Sequence, residues 1–228
     1  AQARHVLTVL RAGPGHTLRV GLRDGPRGTA TVVRTGTDTV EVACRLEEHP
    51  PPRPALDLLL ALPRPKVMKR LWAQLAALGV DRIILTNAAR VERNYFDTHV
   101  LDPAFFTPLL IEGLQQAQDT RLPRVSIHRQ FKPLVEDELA GLSDAPIRLL
   151  ADPVAPQGLA LQDPAQRVLL AVGPEGGWVD FERDLLRARD FRSFHLGPRT
   201  LRTDTACIAL LSVVQHQQAA NSPLQPSP

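Results

Sequence analysis

The sequence predicts an α/β protein in which a mostly parallel sheet with helices on its faces follows a small antiparallel β-unit. Three observations support this fold class. Residues 4–46 alternate short β-branched runs with turn signals, residues 49–54 are largely proline, and strands alternate with helices from residue 55 onward. The chain is therefore expected to fold as two units joined by a stiff linker.

The first unit, residues 1–48, is predicted to be a small antiparallel barrel or sheet. Its apolar runs are separated by the turn-forming stretches GPGH and RDGPRG and recur about every ten residues. The predicted strands are HVLTVLR, TLRVGL, TATVVRTG and TVEVACRL. In the linker HPPPRP, residues 49–54, successive prolines exclude helix because proline has no amide hydrogen to donate.

The second unit, residues 55–220, is predicted to contain strands alternating with helices. RVLLAV is an unbroken aliphatic run, which is typical of a central strand buried on both faces of a parallel sheet. The other strands are predicted at ALDLLLAL, VDRIILT, PRVSIH, PIRLLA and FRSFHL.

The helices between these strands are predicted from apolar spacing and capping residues. The helix after the first strand should end at Gly79, a suitable left-handed cap, and bury Met68, Leu71, Trp72, Leu75 and Leu78. Asp102 and Pro103 form an N-cap and N1 pair for a helix to about Gln118, with a buried stripe of Phe105, Phe106, Leu109, Leu110 and Leu114.

Two further helices are predicted near the carboxyl terminus. Asp180 is expected to cap a helix that runs to Ala188, and a last helix extends from about Thr205 to Gln218. Residues 221–228, with the sequence NSPLQPSP, are expected to form a frayed tail.

Composition excludes several classes of protein. Cys44 and Cys207 lie far apart without histidines at metal-ligand spacing, so neither a disulfide framework nor a metal site is predicted. The longest apolar stretch, ALDLLLAL, is less than half of a membrane span and contains Asp57. A cytoplasmic protein without membrane contact is expected.

The basic residues are mostly arginine, although the formal net charge is only +3. Lys66, Lys69 and Lys132 are the only lysines among 27 basic residues. Guanidinium groups bind phosphate bidentately and stack on bases, so an RNA partner would suit this composition. Genomic base composition is an equal alternative explanation.

Two loops rich in glycine and proline stand at the carboxyl ends of late strands. GPEGGW follows RVLLAV, and LGPRTLRTDTA follows FRSFH. In open parallel sheets, ligands bind at the carboxyl ends of the strands. Loops with few side chains expose their backbone amides and carbonyls, which could hold a flat, neutral adenine. Two tight turns are the alternative. Neither GxxxxGK[ST] nor an early GxGxxG occurs, which argues against P-loop and dinucleotide sites.

The paired loops, with Glu182 in the helix between them, resemble the signature of the RsmE family of SPOUT-superfamily RNA methyltransferases. The order of units also matches, because a PUA-like β-barrel with RHVLTVLR near its beginning precedes the α/β domain. The resemblance implies S-adenosylmethionine as methyl donor, with S-adenosylhomocysteine as product. It also implies methylation of uridine N3 in 16S ribosomal RNA, within free RNA or the small subunit.

The resemblance further implies a trefoil knot near residues 171–206 and a homodimer whose pockets lie near the subunit interface. Two walls of a cofactor pocket carry over residue by residue. One wall would be formed by Gly173, Pro174, Glu175, Gly176 and Gly177. The other would be formed by Leu196, Gly197, Leu201, Arg202 and Ala206.

The catalytic and RNA-binding residues are hypotheses built on this resemblance. Uridine N3 carries a proton at neutral pH, so Arg202 could stabilise the developing charge and Asp204 could accept the proton. Capping of carbonyls by Arg202 and a favourable helix-dipole position for Asp204 are the alternatives. Phosphate contacts are predicted for Arg199 and, in the first unit, for Arg4, Arg11, Arg19, Arg23 and Arg27.

Two segments depart from the family pattern. LAALGV stands where members have a T-E-L-G-V-like run, and residues 115–119 replace an E-Q-[CS]-G-R-like segment. These departures leave two alternative functions open. They are a SPOUT methyltransferase acting on another RNA atom and an RNA-binding homologue that has lost catalysis.

Overall fold

The chain divides into two compact units. The computed structural model describes residues 2–161, 163 and 165–219 of the 228-residue chain. The first unit comprises residues 1–53 and 118–122, and the second comprises residues 54–117 and 123–228. The predicted tail, residues 221–228, lies outside the described residues.

The first unit contains one helix and a three-stranded antiparallel sheet in the order β1-β2-β3. The elements are α1 (Gln2–Thr8), β1 (Thr17–Gly21), β2 (Arg27–Thr35) and β3 (Val40–Leu46). The prediction of a small antiparallel sheet is thereby confirmed. Register is continuous along β1 and β2, whereas a bulge shifts the β2–β3 pairing between Val32 and Arg34.

The predicted strand at HVLTVLR is wrong, because most of this segment is helix α1. Ala3, Val6 and Leu7 are half-buried there, whereas Arg4 and His5 are exposed. Apolar residues spaced by three and four positions share one face of a helix, and this period overrides the β-branched composition that suggested a strand.

Residues 118–122, which directly follow the second unit's helix at Pro103–Ala117, belong to the first unit. Thr120 Oγ1 donates a hydrogen bond to the Gly25 carbonyl at 2.6 Å, and Arg121 Nε donates to the Pro51 carbonyl at 2.5 Å. Part of the segment that departs from the family pattern therefore helps to complete this unit.

Among its described residues, the second unit contains six parallel strands in the order β6-β5-β4-β8-β7-β9. They are β4 (Leu56–Ala61), β5 (Arg82–Thr86), β6 (Arg124–His128), β7 (Ile147–Ala151), β8 (Val168–Val172) and β9 (Phe191–Phe194). Every residue of β4 and β8 is buried, as expected for central strands. The predicted parallel α/β sheet is confirmed.

Helices follow most of these strands. The longer ones are α2 (Pro65–Ala77), α3 (Pro103–Ala117), α6 (Asp180–Arg187) and α7 (Thr203–Ala219). Two short helices, α4 (Phe131–Pro133) and α5 (Leu139–Leu142), flank a π-helical turn at Leu134–Glu138, and 3-10 turns cover Arg93–Asp97 and His99–Leu101. Trp72 on α2 is fully buried and donates from Nε1 to the Val100 carbonyl at 3.0 Å, which confirms its predicted core position.

Two of the predicted helix ends are confirmed and one is wrong. Gly79 takes a φ of 64° and closes α2 with hydrogen bonds from its amide and the next amide to the last helical turn. Asp102 Oδ1 accepts the Ala104 amide at 2.8 Å at the start of α3. Asp180 does not cap α6; the cap residue is Val179, whose amide donates to Glu182 Oε2 at 2.9 Å.

The threaded trefoil arrangement near residues 171–206 stays a prediction. Within the described ranges, no helix has both the length and the apolar character needed to cross a membrane.

Candidate functional site

A cavity of about 290 Å³ opens at the carboxyl edge of the parallel sheet. The segments that follow β7, β8 and β9 line it, together with the start of α7. Carboxyl ends of parallel strands are where ligands bind in open α/β sheets. The size is near the lower end of the range for sites that enclose a small organic ligand.

The first bend, residues 173–178, follows β8 and forms one wall of this cavity. Gly177 takes a φ of 72°, a conformation that favours glycine, and its amide donates to the Pro174 carbonyl at 2.8 Å. Trp178 is buried beneath the bend, and its ring lies 5.4 Å from that of Phe131. A Cβ at position 173 would lie about 3.0 Å from the Trp178 indole, so a larger residue there would have to displace the ring by a few tenths of an ångström.

Two side chains hold the first bend, namely Arg90, which is distant in sequence, and Glu182, which lies on the helix that follows the bend. Arg90 donates a hydrogen bond to the Gly176 carbonyl. The buried Glu182 carboxylate accepts the Ala89 amide at 2.6 Å and the Val179 amide at 2.9 Å. Glu182 therefore joins the loop after β5 to the start of α6, so the bend is anchored on both sides.

Glu175 is exposed at the cavity and points toward the loop before α2. Its Oε1 accepts the Arg64 amide at 3.4 Å. Glu175 therefore contacts a backbone amide of the segment before α2.

The second bend, residues 195–201, follows β9 and forms the opposite wall. Gly197 takes a φ of 108° and its amide donates to His195 Nδ1 at 2.8 Å. Leu196 and Leu201 line the cavity while leaving 38% and 37% of their surfaces exposed. This wall therefore combines apolar side chains and main chain with the polar side chains of His195 and Arg199.

A buried carboxylate, Asp152, lies at the end of β7 and also lines the cavity. Its Oδ2 is 3.3 Å from Arg187 Nη2 and 3.8 Å from Arg183 Nε. Its Oδ1 accepts the Val154 amide at 3.2 Å. The charge of Asp152 is therefore balanced within the second unit.

The predicted catalytic pair lies at the start of α7, next to the cavity but outside its lining. Arg202 is exposed, and its carbonyl accepts the Ala206 amide. Asp204 pairs with Arg70 Nη2 at 2.6 Å, and this hydrogen bond lowers the pKa of the Asp204 carboxyl. Deeper in α7, burial raises the pKa of the Cys207 thiol to about 12, with smaller contributions from the charges of Asp204 and Glu175, so it stays protonated.

Most of the predicted cofactor residues come together in this cavity. Both proposed walls contribute, and the residues that line it are Gly173, Pro174, Glu175, Gly176, Gly177, Leu196, Gly197, Leu201 and Ala206. Arg199, predicted to contact phosphate, lines it too. Arg202 and Asp204 do not.

The predicted phosphate-binding arginines of the first unit are all exposed; they are Arg4, Arg11, Arg19, Arg23 and Arg27. Arg19 pairs across the strands with Thr29, which pairs in turn with Arg45, so these side chains share one face of the sheet. Arg27 lies two residues from Thr29 on the same face and 3.7 Å from Glu47. Arg45 was missed by the sequence analysis.

Sequence reasoning also missed several residues of the cavity, namely Arg90, Asp152, Arg183 and His195. Asp152 directly follows a predicted strand, and that position was a usable signal. Arg90 carried no local signal, because its partner lies 86 positions further along the chain. Among the described residues, no group of His, Cys, Asp and Glu is arranged to hold a metal ion.

Comparison with known proteins gives the same assignment for most of the chain. The family described as RNA methyltransferase domain matches residues 50–215. The ribosomal RNA small subunit methyltransferase E of Treponema pallidum is 30% identical over 214 residues, which cover 92% of this chain and 80% of the relative. The chain belongs to the ribosomal RNA small subunit methyltransferase E family.

Solved structures of similar proteins share the fold. A ribosomal RNA small subunit methyltransferase E from Neisseria gonorrhoeae, bound to S-adenosylmethionine, superimposes with a TM-score of 0.76 at 21% identity, covering 94% of this chain and 88% of that one. A Legionella pneumophila structure with bound S-adenosylmethionine gives 0.70 at 25% identity, with coverage of 94% and 88%. The fold expected for this family is therefore confirmed for most of the chain.

Proposed function

We propose that this member of the methyltransferase E family transfers a methyl group from S-adenosylmethionine to N3 of a uridine in small-subunit ribosomal RNA. The observation that carries the proposal is the single cavity shared by the bends at 173–178 and 195–201. These are the two segments that the sequence resemblance assigned to the cofactor.

The residues present fit an adenosyl group. Leu196, Leu201 and Ala206 offer apolar contact to a flat base. At Gly177 and Gly197 a side chain would enter open space, so the main chain there can be approached closely by a ligand, although both amides already donate hydrogen bonds within the protein. We assign the cofactor walls to Gly173, Pro174, Glu175, Gly176 and Gly177 on one side and Leu196, Gly197, Leu201 and Ala206 on the other.

S-adenosylmethionine, when bound, supplies an electrophilic methyl group on a sulfonium. The protein must hold the uridine nitrogen in line with that methyl and lower the cost of removing the N3 proton. The exposed Arg202 guanidinium can approach the uracil carbonyl oxygens and stabilise the negative charge that develops on them. Arg202 is the residue we assign to this catalytic role.

Asp204 is a weaker candidate for the proton acceptor. The hydrogen bond from Arg70 lowers the pKa of its carboxyl, and a carboxylate with a lower pKa is a poorer general base. In this proposal, the N3 proton leaves to solvent water, and Asp204 and Arg70 hold the start of α7 so that Arg202 and Ala206 keep their positions.

The first unit is proposed to bind the RNA backbone. Arg19, Arg27 and Arg45 share one face of its sheet, and Arg4, Arg11 and Arg23 are exposed in the same unit. Replacing the three sheet arginines with glutamine should weaken RNA binding and reduce its salt dependence by up to about one unit per lost contact. The control is Arg34→Gln, which removes an exposed arginine of the same strand as Arg27 that lies beyond the β2–β3 bulge and only 3.2 Å from Glu41. An unchanged salt dependence would remove this face from the proposal.

A homodimer that covers the cavity mouth is also proposed. Val154 leaves 75% of its surface exposed, and Leu196 and Leu201 are partly exposed beside it. Apolar side chains grouped around a cavity commonly mark an interface. Sedimentation analysis of the purified chain should give twice the monomer mass, and a monomer at micromolar concentration would contradict this. A cytoplasmic location follows from the proposed substrate.

The reaction is tested by mass spectrometry of ribosomal RNA nucleosides from a strain that lacks this protein. Loss of 3-methyluridine is the expected result. Loss of a different methylated nucleoside would assign the enzyme to another RNA atom. An unchanged nucleoside profile would favour the RNA-binding homologue without catalysis.

A further inference from the structure

A histidine side chain, not a backbone group, holds the second bend of the cavity. The Gly197 amide donates to His195 Nδ1 at 2.8 Å. Among the described residues, this is the only hydrogen bond made by an amide of residues 196–201. The shape of this wall therefore depends on one imidazole nitrogen.

The backbone of His195 is itself fixed. Its amide donates to the Gln157 carbonyl at 2.9 Å, and it forms a parallel bridge with Gly158. Phe194, immediately before it, is buried at the end of β9. The imidazole thus extends from a rigid strand end and ties down a bend in which Gly197 has a φ of 108°.

The contact requires a neutral imidazole. Each neutral imidazole has one donor nitrogen and one acceptor nitrogen, so acceptance at Nδ1 places the hydrogen on Nε2. Protonation adds a hydrogen to Nδ1. Two donors would then face each other, and the Gly197 amide would lose its partner.

We infer that His195 is a positioning residue, whose neutral imidazole holds the Leu196–Gly197 bend in the form that binds S-adenosylmethionine and whose protonation releases it. This inference rests on the proposed function of the cavity. It adds a dependence of cofactor affinity on pH that the family assignment does not supply.

Other ionisable groups at the cavity do not account for such a dependence. They are Arg90, Asp152, Glu175, Arg183 and Arg199. Each of them is a guanidinium or a carboxylate, and among the described residues that line the cavity His195 alone carries an imidazole. Gln157 and Gly158, which contact His195 from the neighbouring segment, carry no ionisable side chain.

Two substitutions at His195 distinguish the effect of the acceptor nitrogen from the effect of the ring. His195→Asn keeps a hydrogen-bond acceptor near the position of Nδ1. In Asx turns, the asparagine side-chain oxygen accepts a hydrogen bond from the amide two residues further on. His195→Phe keeps a ring of similar size without an acceptor. Calorimetric titration of the full chain with S-adenosylmethionine at pH 8 and pH 5.5 measures all three proteins.

At pH 8, the wild-type chain and His195→Asn should bind equally, whereas His195→Phe should bind about threefold to tenfold more weakly, as expected for one lost hydrogen bond. At pH 5.5, wild-type affinity should fall toward that of His195→Phe, and His195→Asn should show no such loss. Any titration of the ligand itself affects all three proteins alike, so the ratio to His195→Asn is the informative quantity.

Two results would overturn the inference while leaving the proposed function intact. One is equal binding by His195→Phe and wild type at pH 8. The other is a wild-type affinity that changes with pH in parallel with that of His195→Asn. Failure of the wild-type chain to bind S-adenosylmethionine at pH 8 would instead contradict the proposed function itself.

Discussion

Charged side chains are arranged differently at the two ends of the parallel strands. The amino ends of the strands form the amino edge of the sheet, and their carboxyl ends form the carboxyl edge. At the amino edge, Arg167 Nη1 lies 2.7 Å from Asp57 Oδ1 and 3.1 Å from Asp81 Oδ2. Ser143 Oγ donates to the other oxygen of Asp57 at 2.7 Å. At the carboxyl edge, glycine bends surround a cavity, and the Arg202 side chain next to it is exposed.

At the amino edge, the charged side chains are paired with one another inside the protein. Asp57 is fully buried, and burial raises the pKa of its carboxyl against the opposing effects of Ser143 and Arg167. Burial alone would lower the pKa of Arg167, but the attraction of Asp57 and Asp81 outweighs it and raises the pKa. Both partners are held by contacts inside the protein, so this edge is specialised for structure.

The carboxyl edge differs because its charges leave room for a ligand. Asp152 is balanced by Arg183 and Arg187, whereas Glu175 is exposed at the cavity and accepts the Arg64 amide at 3.4 Å. One fold thus separates stability from function at opposite ends of the same strands. Substitutions at the two edges should therefore affect different measurements.

The largest effect is expected at the amino edge. Arg167→Met should lower the free energy of unfolding by about 3–5 kcal/mol, because it leaves buried Asp57 without its counter-charge. Affinity for S-adenosylmethionine at low temperature should stay within threefold. Denaturant unfolding and calorimetric binding measure the two quantities.

The matched control is Arg124→Met, which changes an exposed arginine at the start of β6 on the same edge. Its unfolding free energy should change by less than about 0.5 kcal/mol. Equal stability of the Arg167 and Arg124 variants would show that the network does not hold this edge.

The next effect is expected at the carboxyl edge. Arg202→Ala should slow methyl transfer about 100-fold or more, equivalent to roughly 2.7 kcal/mol, because the charge developing on the uracil oxygens loses its stabilising cation. Stability and cofactor affinity should change little. Transfer of a labelled methyl group to small-subunit RNA measures the rate, with exposed Arg192→Ala on β9 as control. Normal turnover by the Arg202 variant would remove that residue from the mechanism.

A smaller effect is expected from crowding the first bend. A Cβ at position 176 would lie 2.8 Å from Arg90 Cδ, so Gly176→Leu should push Arg90 off the bend and obstruct the cavity. Affinity for S-adenosylmethionine should fall at least tenfold, or about 1.4 kcal/mol, in calorimetry. Gly141→Leu is the control, since a Cβ there meets nothing within 4 Å. An unchanged dissociation constant for the Gly176 variant would place the cofactor elsewhere.

The smallest effect is expected for the Arg70–Asp204 pair. Arg70→Ala should raise the Asp204 pKa toward its ordinary value, because the hydrogen bond from Arg70 is what lowers it. Stabilisation from a lowered carboxyl pKa is present above the unfolded value near 3.9 and is lost as pH falls through the folded value. Since Arg70 is 59% exposed, the loss at pH 7 should stay below about 1 kcal/mol.

Carboxyl resonances followed by NMR during acid titration report the Asp204 pKa directly. The Arg70 variant and the wild-type chain should differ in that resonance. Identical titration of Asp204 in the two proteins would contradict the proposed pairing.

Sequence patterns predicted the interior of the second unit well and the anchors of the site poorly. The aliphatic runs of β4 and β8 predict central strands, because a strand that is apolar on both sides must be covered on both faces of the sheet. Asp102 followed by Pro103 likewise predicted a helix start from local chemistry alone. Both glycine bends were assigned to the cavity that they line.

The errors arose where local composition and tertiary structure disagree. Val6 and Thr8 suggested a strand, but the spacing of the half-buried residues in α1 is helical. Asp180 looked like a cap, whereas Glu182 reaches back to the Val179 amide. Contacts such as Arg90 with Gly176 join residues far apart in sequence, and no single-sequence pattern encodes them.

The most direct test of the account is a crystal structure of this chain with S-adenosylhomocysteine. The adenosyl group should lie between residues 173–177 and residues 196–201, against Leu196 and Leu201. An adenosyl group bound anywhere else on the chain, with this cavity free of ligand, would contradict the account.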